Sequence, residues 1–323
     1  MKIAVLTSGG DSPGMNAAIR AVVRTAIYRD VEVMGIMRGY QGLIDNDLIS
    51  LEAKDVANIV QRGGTILKSA RCQEFMSSEG RKKAYDTLKN NGIDALVVIG
   101  GDGTFTGANI FLKEFPDLRI VGLPGTIDND LYGTDFTIGY DTALNTVIEA
   151  IDKVRDTAAS HDRLFLVEVM GKDAGFIALR AAIGSGAESV LVPETEYFSD
   201  HLVEHLQNGK KRKKDYSIVL VAEGNKAGGA FEMAEVVKKE CPEFDTRVLV
   251  LGHIQRGGSP SCMERVRASQ MGNAAVESLL NGYSNVMVGI VDKKILYTPF
   301  EKSIKHNDKL NHELLGLAQI LSI

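Results

Sequence analysis

Two carboxylates two residues apart, Asp128 and Asp130, lie in the string Pro124-Gly125-Thr126-Ile127-Asp128-Asn129-Asp130, directly after an apolar run. Acids placed this way can take different jobs: one accepts a proton from a hydroxyl nucleophile, and the other helps hold metal-bound water. A third acid, Asp102, stands in Gly100-Gly101-Asp102-Gly103-Thr104, flanked by residues without bulk, so its carboxylate can reach a bound ligand. A hard cation such as Mg²⁺ asks for one or two carboxylates and keeps its waters. The other reading of Asp102 is as the cap of a helix over Thr104–Glu114. Gly9-Gly10-Asp11-Ser12-Pro13-Gly14-Met15-Asn16 forms a further glycine-rich turn. It has neither the GK[ST] ending of a P-loop nor the GxGxxG spacing of a dinucleotide site. It reads as a tight turn with Asn16 near a helix cap, or as a loop whose N–H groups face a phosphate tail. Carboxylates cannot cradle phosphate themselves, so acids beside such turns point to metal-assisted phosphoryl transfer.

Cations cluster at other strand ends. Arg163 precedes an apolar run that closes in Glu168-Val169-Met170-Gly171-Lys172, and Arg247 opens the run leading to Gly252-His253-Ile254-Gln255-Arg256-Gly257-Gly258-Ser259. The arginine fork matches two oxygens of a phosphate. Three arginines and a lysine at strand ends, in a chain of net charge −5, read as convergent. His253 has no second His or Cys at ligand spacing and reads as a hydrogen-bonding residue. Lys210-Lys211-Arg212-Lys213-Lys214 reads as a solvated loop or an anion-effector site; with no interleaved aromatics, nucleic acid is the weaker reading.

These turns need strands to carry them. Apolar runs at Ile3–Ser8, Val31–Ile36, Ala95–Gly100, Arg119–Leu123, Arg163–Met170, Ser189–Val192, Tyr216–Ala222, Val248–Gly252 and Val286–Val291 predict strands, several of them covered on both faces. Helices are expected between them, among them Asn16–Tyr28, Glu264–Leu280 and Asp141–Ala159. The last puts Val147, Ile148, Ile151, Val154 and Ala158 on one face. The alternation predicts an α/β fold with parallel sheets and right-handed crossovers. A chain of 323 residues exceeds one typical core, so two domains are expected, and Gly139–Asp141 is a plausible crossing point. The negative net charge argues against a general nucleic-acid binder. No apolar stretch is long enough to span a membrane, and Ile3–Leu6 is too short for a signal-peptide core. Three widely spaced cysteines, Cys72, Cys241 and Cys262, form neither a disulfide framework nor a zinc set, which suits a reduced cytoplasm.

Taken together, LTSGGDSPGMNAAIR, Gln61-Arg62-Gly63-Gly64-Thr65, Ser69–Arg71, IGGDGT, PGTIDND, EVMGK and GHIQRGGSP resemble, in order and over essentially the whole chain, the bacterial-type ATP-dependent 6-phosphofructokinase family. The resemblance implies two similar three-layer αβα domains with mainly parallel sheets and an active site in the cleft between them. It implies a larger ATP-binding domain of residues 1–139 plus 253–303, and a smaller sugar-phosphate domain of residues 140–252 plus 304–323. It implies transfer of the ATP γ-phosphoryl group to the 1-hydroxyl of fructose 6-phosphate in glycolysis, with Mg²⁺, in a cytoplasmic homotetramer free of membrane and nucleic acid. Asp128 would be the base, Thr126 and Asp130 would support the transferring group and metal, and Asp102 would hold Mg²⁺. The ATP site would be lined by Gly10, Tyr40, Arg71 and Cys72, and by Gly101, Gly103, Thr104 and Gly107. Met170, Gly171, Glu223, His253 and Arg256 would hold the sugar phosphate, with Arg163 and Arg247 reaching it from a neighbouring subunit. ADP and phosphoenolpyruvate would be effectors at Arg20, Arg24, Lys54, Arg155, Arg212 and Lys214, with Glu188 near an effector-bound metal.

The chain departs from the family pattern at two positions: Lys54, where Arg often stands, and Lys172, which replaces an Arg near the transferring phosphate and keeps the charge without the fork. Relatives that use pyrophosphate resemble GGDD and PKTIDND. Gly103 and Gly125 at those positions favour ATP, because a second acid would repel an α-phosphate. The competing readings are a kinase for a different sugar phosphate and a nucleotide-sensing regulatory subunit. The second should have lost Asp102, Asp128 or Asp130, and all are present. A Rossmann dehydrogenase is disfavoured by the missing GxGxxG.

Overall fold

In the computed structural model, which describes residues 1–161, 163–195, 199–211, 217–304 and 310–321, strands and helices alternate along most of the chain. The first stretch runs β1 (Lys2–Thr7), α1 (Met15–Tyr28), β2 (Glu32–Ile36), α2 (Tyr40–Asp45), β3 (Leu48–Ser50) and α3 (Ser78–Asn90). It continues through β4 (Ala95–Gly100), α4 (Asp102–Glu114), β5 (Ile120–Thr126), β6 (Ile138–Gly139) and α5 (Tyr140–Ala159). Next come β7 (Arg163–Val169), α6 (Phe176–Ser185), β8 (Ser189–Leu191), α7 (Ser199–Lys211), β9 (Ser217–Ala222), α8 (Ala230–Glu240) and β10 (Asp245–Val250). The chain closes with α9 (Cys262–Leu280), β11 (Val286–Val291), β12 (Lys294–Pro299), α10 (Phe300–Ser303) and α11 (His312–Leu321).

The chain divides into two units. One comprises Met1–Ile127, Leu131–Thr142 and Arg256–His306, and the other comprises Asp128–Asp130, Ala143–Gln255 and Asn307–Ile323. The first unit holds an eight-stranded sheet in the order β12-β11-β5-β4-β1-β2-β3, with β6 beside β5. Its central strands are parallel and buried along their length. Strand alternation divides its apolar residues between two cores. Ile3, Val5, Val97, Ile99, Val121 and Leu123 pack with α1 and α9, while Ala4, Leu6, Leu96, Val98 and Ile120 pack with Phe105 and Phe111 of α4. The second unit holds a four-stranded parallel sheet in the order β10-β7-β9-β8. Leu164, Leu166, Val219 and Val221 pack with α7 and α8. The buried Ile218 and Leu220 have the opposite parity and face the side on which α6 packs against β8 and β9. The mainly parallel α/β fold expected from the sequence is therefore present.

The outer strands depart from expectation. β3 and β12 are antiparallel edges. β12 follows β11 through Asp292 and Lys293, whose φ values of 48° and 65° give the primed geometry that closes a two-residue hairpin. The sequence there has none of the glycine or asparagine that usually announces such a turn. β10 begins at Asp245, three residues before the expected Val248, because an edge strand tolerates a polar start. β5 runs to Thr126, three residues past Leu123, carrying Pro124 and Gly125 inside the sheet.

Candidate active site

Neighbouring parallel strands set the position of the acids. β4 and β5 pair from Leu96↔Ile120 to Gly100↔Pro124, so the turn after β4 and the end of β5 lie side by side at the carboxyl edge of the larger sheet. Open α/β sheets bind ligands at that edge. A Cβ on Gly101 would stand 3.7 Å from Cβ of Thr126, which ends β5 two residues before Asp128. Asp128, Asn129 and Asp130 are buried. Asn129 has φ 56°, a left-handed conformation that asparagine tolerates, so it turns the chain between the two acids.

Asp102 opens α4 and does not cap it. The cap is the extended Gly101, and Asp102 Oδ1 accepts from the N–H of Gly103 at 2.7 Å. A Cβ on Gly103 would meet open space. On Gly125 it would stand 2.9 Å from Met15 Cε and 3.2 Å from Gly100 N.

The first glycine loop lies beside this edge. The N–H of Ser8 donates to Ile99 O at 2.9 Å, joining the ends of β1 and β4. Gly9 and Gly14 adopt φ of 83° and 104°, and Gly14 caps α1. The guanidinium of Arg256 lies on Gly10, where a Cβ would come within 2.5 Å of Nη1. That Nη1 donates to Asp11 O at 3.3 Å, so two residues expected in different subsites are brought together. Thr104 Oγ1 donates to Ser8 O at 3.3 Å, and Thr104 O accepts from the Tyr40 hydroxyl at 2.7 Å. Tyr40 stacks on Phe75 at 4.0 Å, and a Cβ on Gly107 would stand 3.3 and 3.4 Å from those rings. Burial pushes the Tyr40 phenol and the Cys72 thiol up, and the Cys72 side chain packs with the Tyr40–Phe75 core. Arg71 is exposed next to it.

Sequence reasoning placed Asn16 near a cap, but its side chain does something else. It donates to Arg62 O and Gly63 O at 3.1 Å each and accepts from the N–H of Ile66 at 2.8 Å. Thr7 Oγ1 donates to Lys68 O at 2.7 Å, and Ser259 Oγ donates to Gln61 O at 2.7 Å. The Gln61–Thr65 motif is thereby tied to the first loop and to the segment after Arg256.

In the second unit, Glu223 organises the turn after β7. Its Oε1 accepts from the N–H of Lys172 at 2.6 Å and of Gly171 at 3.3 Å. Gly171 has φ 143° and Lys172 φ 54°, leaving the lysine side chain exposed. Gln255, fully buried, accepts from the N–H of Met170 at 3.2 Å and donates to Gly252 O at 3.0 Å. It ties the β7 turn to the segment carrying the exposed His253. Its place between Ile254 and Arg256 gives no local signal of that role. Arg163 and Arg247 both pair with Asp245.

The expected effector residues belong to several elements of both units. Arg20 and Arg24 lie one turn apart on α1, and burial, with Arg24's charge second, lowers the Arg20 pKa. Lys54 pairs with Glu52 at 2.9 Å, which raises its pKa. Arg155 donates to Ser185 O, and the buried Glu188 accepts from the N–H of Ile218. Arg212 and Lys214 lie outside the described residues.

No cluster of three or more His, Cys, Asp or Glu side chains able to hold a metal occurs among the described residues. Asp102, at the mouth of a turn with room beside it, suits an ion whose shell is completed by nucleotide phosphate and water.

A family profile described as Phosphofructokinase matches residues 2–279. The chain is 56% identical over 321 residues to ATP-dependent 6-phosphofructokinase 2 of Bacteroides thetaiotaomicron, covering 99% of this chain and 98% of that one. It is 53% identical over 322 residues to ATP-dependent 6-phosphofructokinase 1 of Thermus thermophilus, covering 100% and 99%. The phosphofructokinase of Saccharomyces cerevisiae superposes with a TM-score of 0.89 at 37% identity over 99% of this chain; the chain spans only 47% of that longer one. A pyrophosphate-dependent phosphofructokinase from Marinobacter aquaeolei, covered to 86% by 97% of this chain, superposes with a TM-score of 0.84 at 22% identity, a likeness of fold alone. With a profile match over most of the chain and more than half of all residues shared with relatives of the same length, the chain belongs to the phosphofructokinase family.

Proposed function

We propose that this chain transfers the γ-phosphoryl group of ATP to the 1-hydroxyl of fructose 6-phosphate, giving fructose 1,6-bisphosphate and ADP, as a glycolytic enzyme of the cytoplasm. The observation that carries the reading is the in-register pairing of β4 and β5, which sets the Asp102 turn against Thr126, two residues from Asp128. The names of the full-length relatives support the same donor and acceptor.

Phosphoryl transfer gives a protein little covalent work, so positioning and charge stabilisation dominate. Asp128 accepts the proton of the sugar 1-hydroxyl as its oxygen attacks the γ-phosphorus and the bond to the departing ADP oxygen breaks. Thr126 and Asp130 orient the transferring group. Gly10, Gly101, Gly103 and Thr104 offer backbone and hydroxyl groups to the nucleotide's phosphates, with Tyr40, Arg71, Cys72 and Gly107 shaping the rest of that subsite. Mg²⁺ held by Asp102 would neutralise charge on the β- and γ-phosphates. Lys172 supplies a point charge to the transferring group. Met170, Gly171, Glu223, His253 and Arg256 hold fructose 6-phosphate, and Arg163 and Arg247 serve the site of a neighbouring copy in a homotetramer.

Arg20, Arg24, Lys54, Arg155, Arg212 and Lys214, with Glu188, contribute from neighbouring subunits to a regulatory site between them for ADP and phosphoenolpyruvate. The test is a coupled assay with ATP, Mg²⁺ and fructose 6-phosphate, with and without those effectors. Absence of fructose 1,6-bisphosphate formation refutes the activity, and indifference to both effectors refutes the regulatory site.

A further inference from the structure

Asp245 heads the edge strand β10 and is the direct partner of Arg163 on β7. Direct partners in a parallel pair share a face, and Arg247, two residues on, shares it too. One carboxylate therefore serves two guanidiniums. Oδ2 accepts from Arg163 Nε at 2.9 Å and from Arg247 Nη2 at 3.0 Å, while Oδ1 lies 2.7 Å from Arg247 Nη1. Arg163 commits only its Nε, and its two Nη groups donate to nothing among the described residues. The cluster keeps one net positive charge and a pair of uncommitted donors on a partly exposed side chain, the arrangement that suits a phosphate monoester.

We infer that Asp245 is a positioning residue for phosphate recognition: it fixes Arg163 and Arg247 as one unit, with the Nη edge of Arg163 presented to the ligand. The inference rests on the sugar-phosphate reading above and adds to it the residue that orients its arginines.

Electrostatics alone predicts the opposite effect, which makes the test sharp. Removing a negative charge next to two phosphate-binding arginines should tighten an anion, so any weakening must come from lost orientation. Steady-state kinetics with fructose 6-phosphate and ATP are measured for the full chain, for Asp245→Asn and for Asp245→Glu. The expected result for Asp245→Asn is a KM for fructose 6-phosphate raised about tenfold, the scale of one charged hydrogen bond, with kcat and the KM for ATP within about twofold of the parent. Asp245→Glu, which keeps the carboxylate, should recover part of the loss. An unchanged or lowered KM in Asp245→Asn overturns the positioning role. Arg163→Ala and Arg247→Ala are measured alongside. If neither raises that KM, the assignment of the arginines fails and the inference falls with it. If both raise it and Asp245→Asn does not, only the positioning role fails.

Discussion

Replacing Glu264 with glutamine should remove a pH dependence of stability between pH 4.5 and 7. Glu264 is 1% exposed in the first turn of α9, where its Oε2 accepts from the N–H of Thr142 at 3.2 Å and from its hydroxyl at 3.3 Å. Its side chain is pressed against the first glycine loop: a Cβ on Gly14 would stand 2.9 Å from Glu264 Cγ. Burial lifts its carboxyl from 4.5 to about 7; the Asp141 charge adds to the rise, and hydrogen bonds from Gly139 and Thr142 oppose it. Between those two values the folded chain holds a proton that the unfolded chain has released. The stability tied to this proton is complete below pH 4.5 and drains away as pH rises through about 7. At about 1.36 kcal/mol per pH unit, the loss over that window is roughly 3 kcal/mol. Glutamine imitates the protonated acid and does not titrate. Denaturation midpoints of the parent and of Glu264→Gln, converted to free energies across pH 4.5 to 8, should show the variant gaining roughly 3 kcal/mol on the parent by pH 7 and no more above it. A difference between the two chains that stays constant across this range would mean the carboxyl titrates at its ordinary value, and the reasoning from burial would be wrong.

Asp128→Asn should bind ATP and melt like the parent while kcat falls on the order of 10²–10⁴, as for the loss of a general base; near-normal turnover would place the base elsewhere. Lys172→Ala should lower kcat strongly and Lys172→Arg should be tolerated, because charge is the requirement there; wild-type turnover in the alanine variant would take Lys172 out of the reaction. Gly103→Asp should leave the melting temperature intact, given the open space beside it, while ATP turnover drops. Gly125→Lys should cost about 1–3 kcal/mol of stability, because its Cβ would press on Met15 and the Gly100 backbone; equal melting of the two variants would contradict this packing contrast.

Much of the parallel framework was legible because strands buried on both faces read as unbroken apolar runs such as Ala95–Gly100, and every expected run overlaps a strand, although the run from Val248 to Gly252 leaves β10 at Val250 and Tyr216 lies outside the described residues. The edge strands were not, since β3 is short, both β3 and β12 are largely exposed, and the Asp292–Lys293 turn carries no glycine or asparagine. Glycine-and-acid strings announced the turns at Asp102 and Asp128 because few other residues permit such close approach. Their supports stayed hidden. Asn16, Gln255, Asp245 and Glu264 act through partners tens to more than a hundred residues away, or, for Asp245, across a strand register, and no local spacing encodes such a meeting. Glu223 is marked only by the family resemblance, as an expected sugar ligand, and no local spacing encodes its bonds from the N–H groups of Gly171 and Lys172.

The stretch from Gln61 to Lys68 has no helix or strand of its own. Its order rests on side-chain bonds from Asn16, Thr7 and Ser259, on the N–H of Arg38 donating to Leu67 O at 2.8 Å, and on the buried Leu67. A segment held this way opens by letting go of single anchors, without tearing a ladder, so its opening free energy is set by those anchors and by the burial of Leu67. The larger unit thus joins a stiff floor to a rim that can breathe, and breathing of the rim leaves the floor's register untouched.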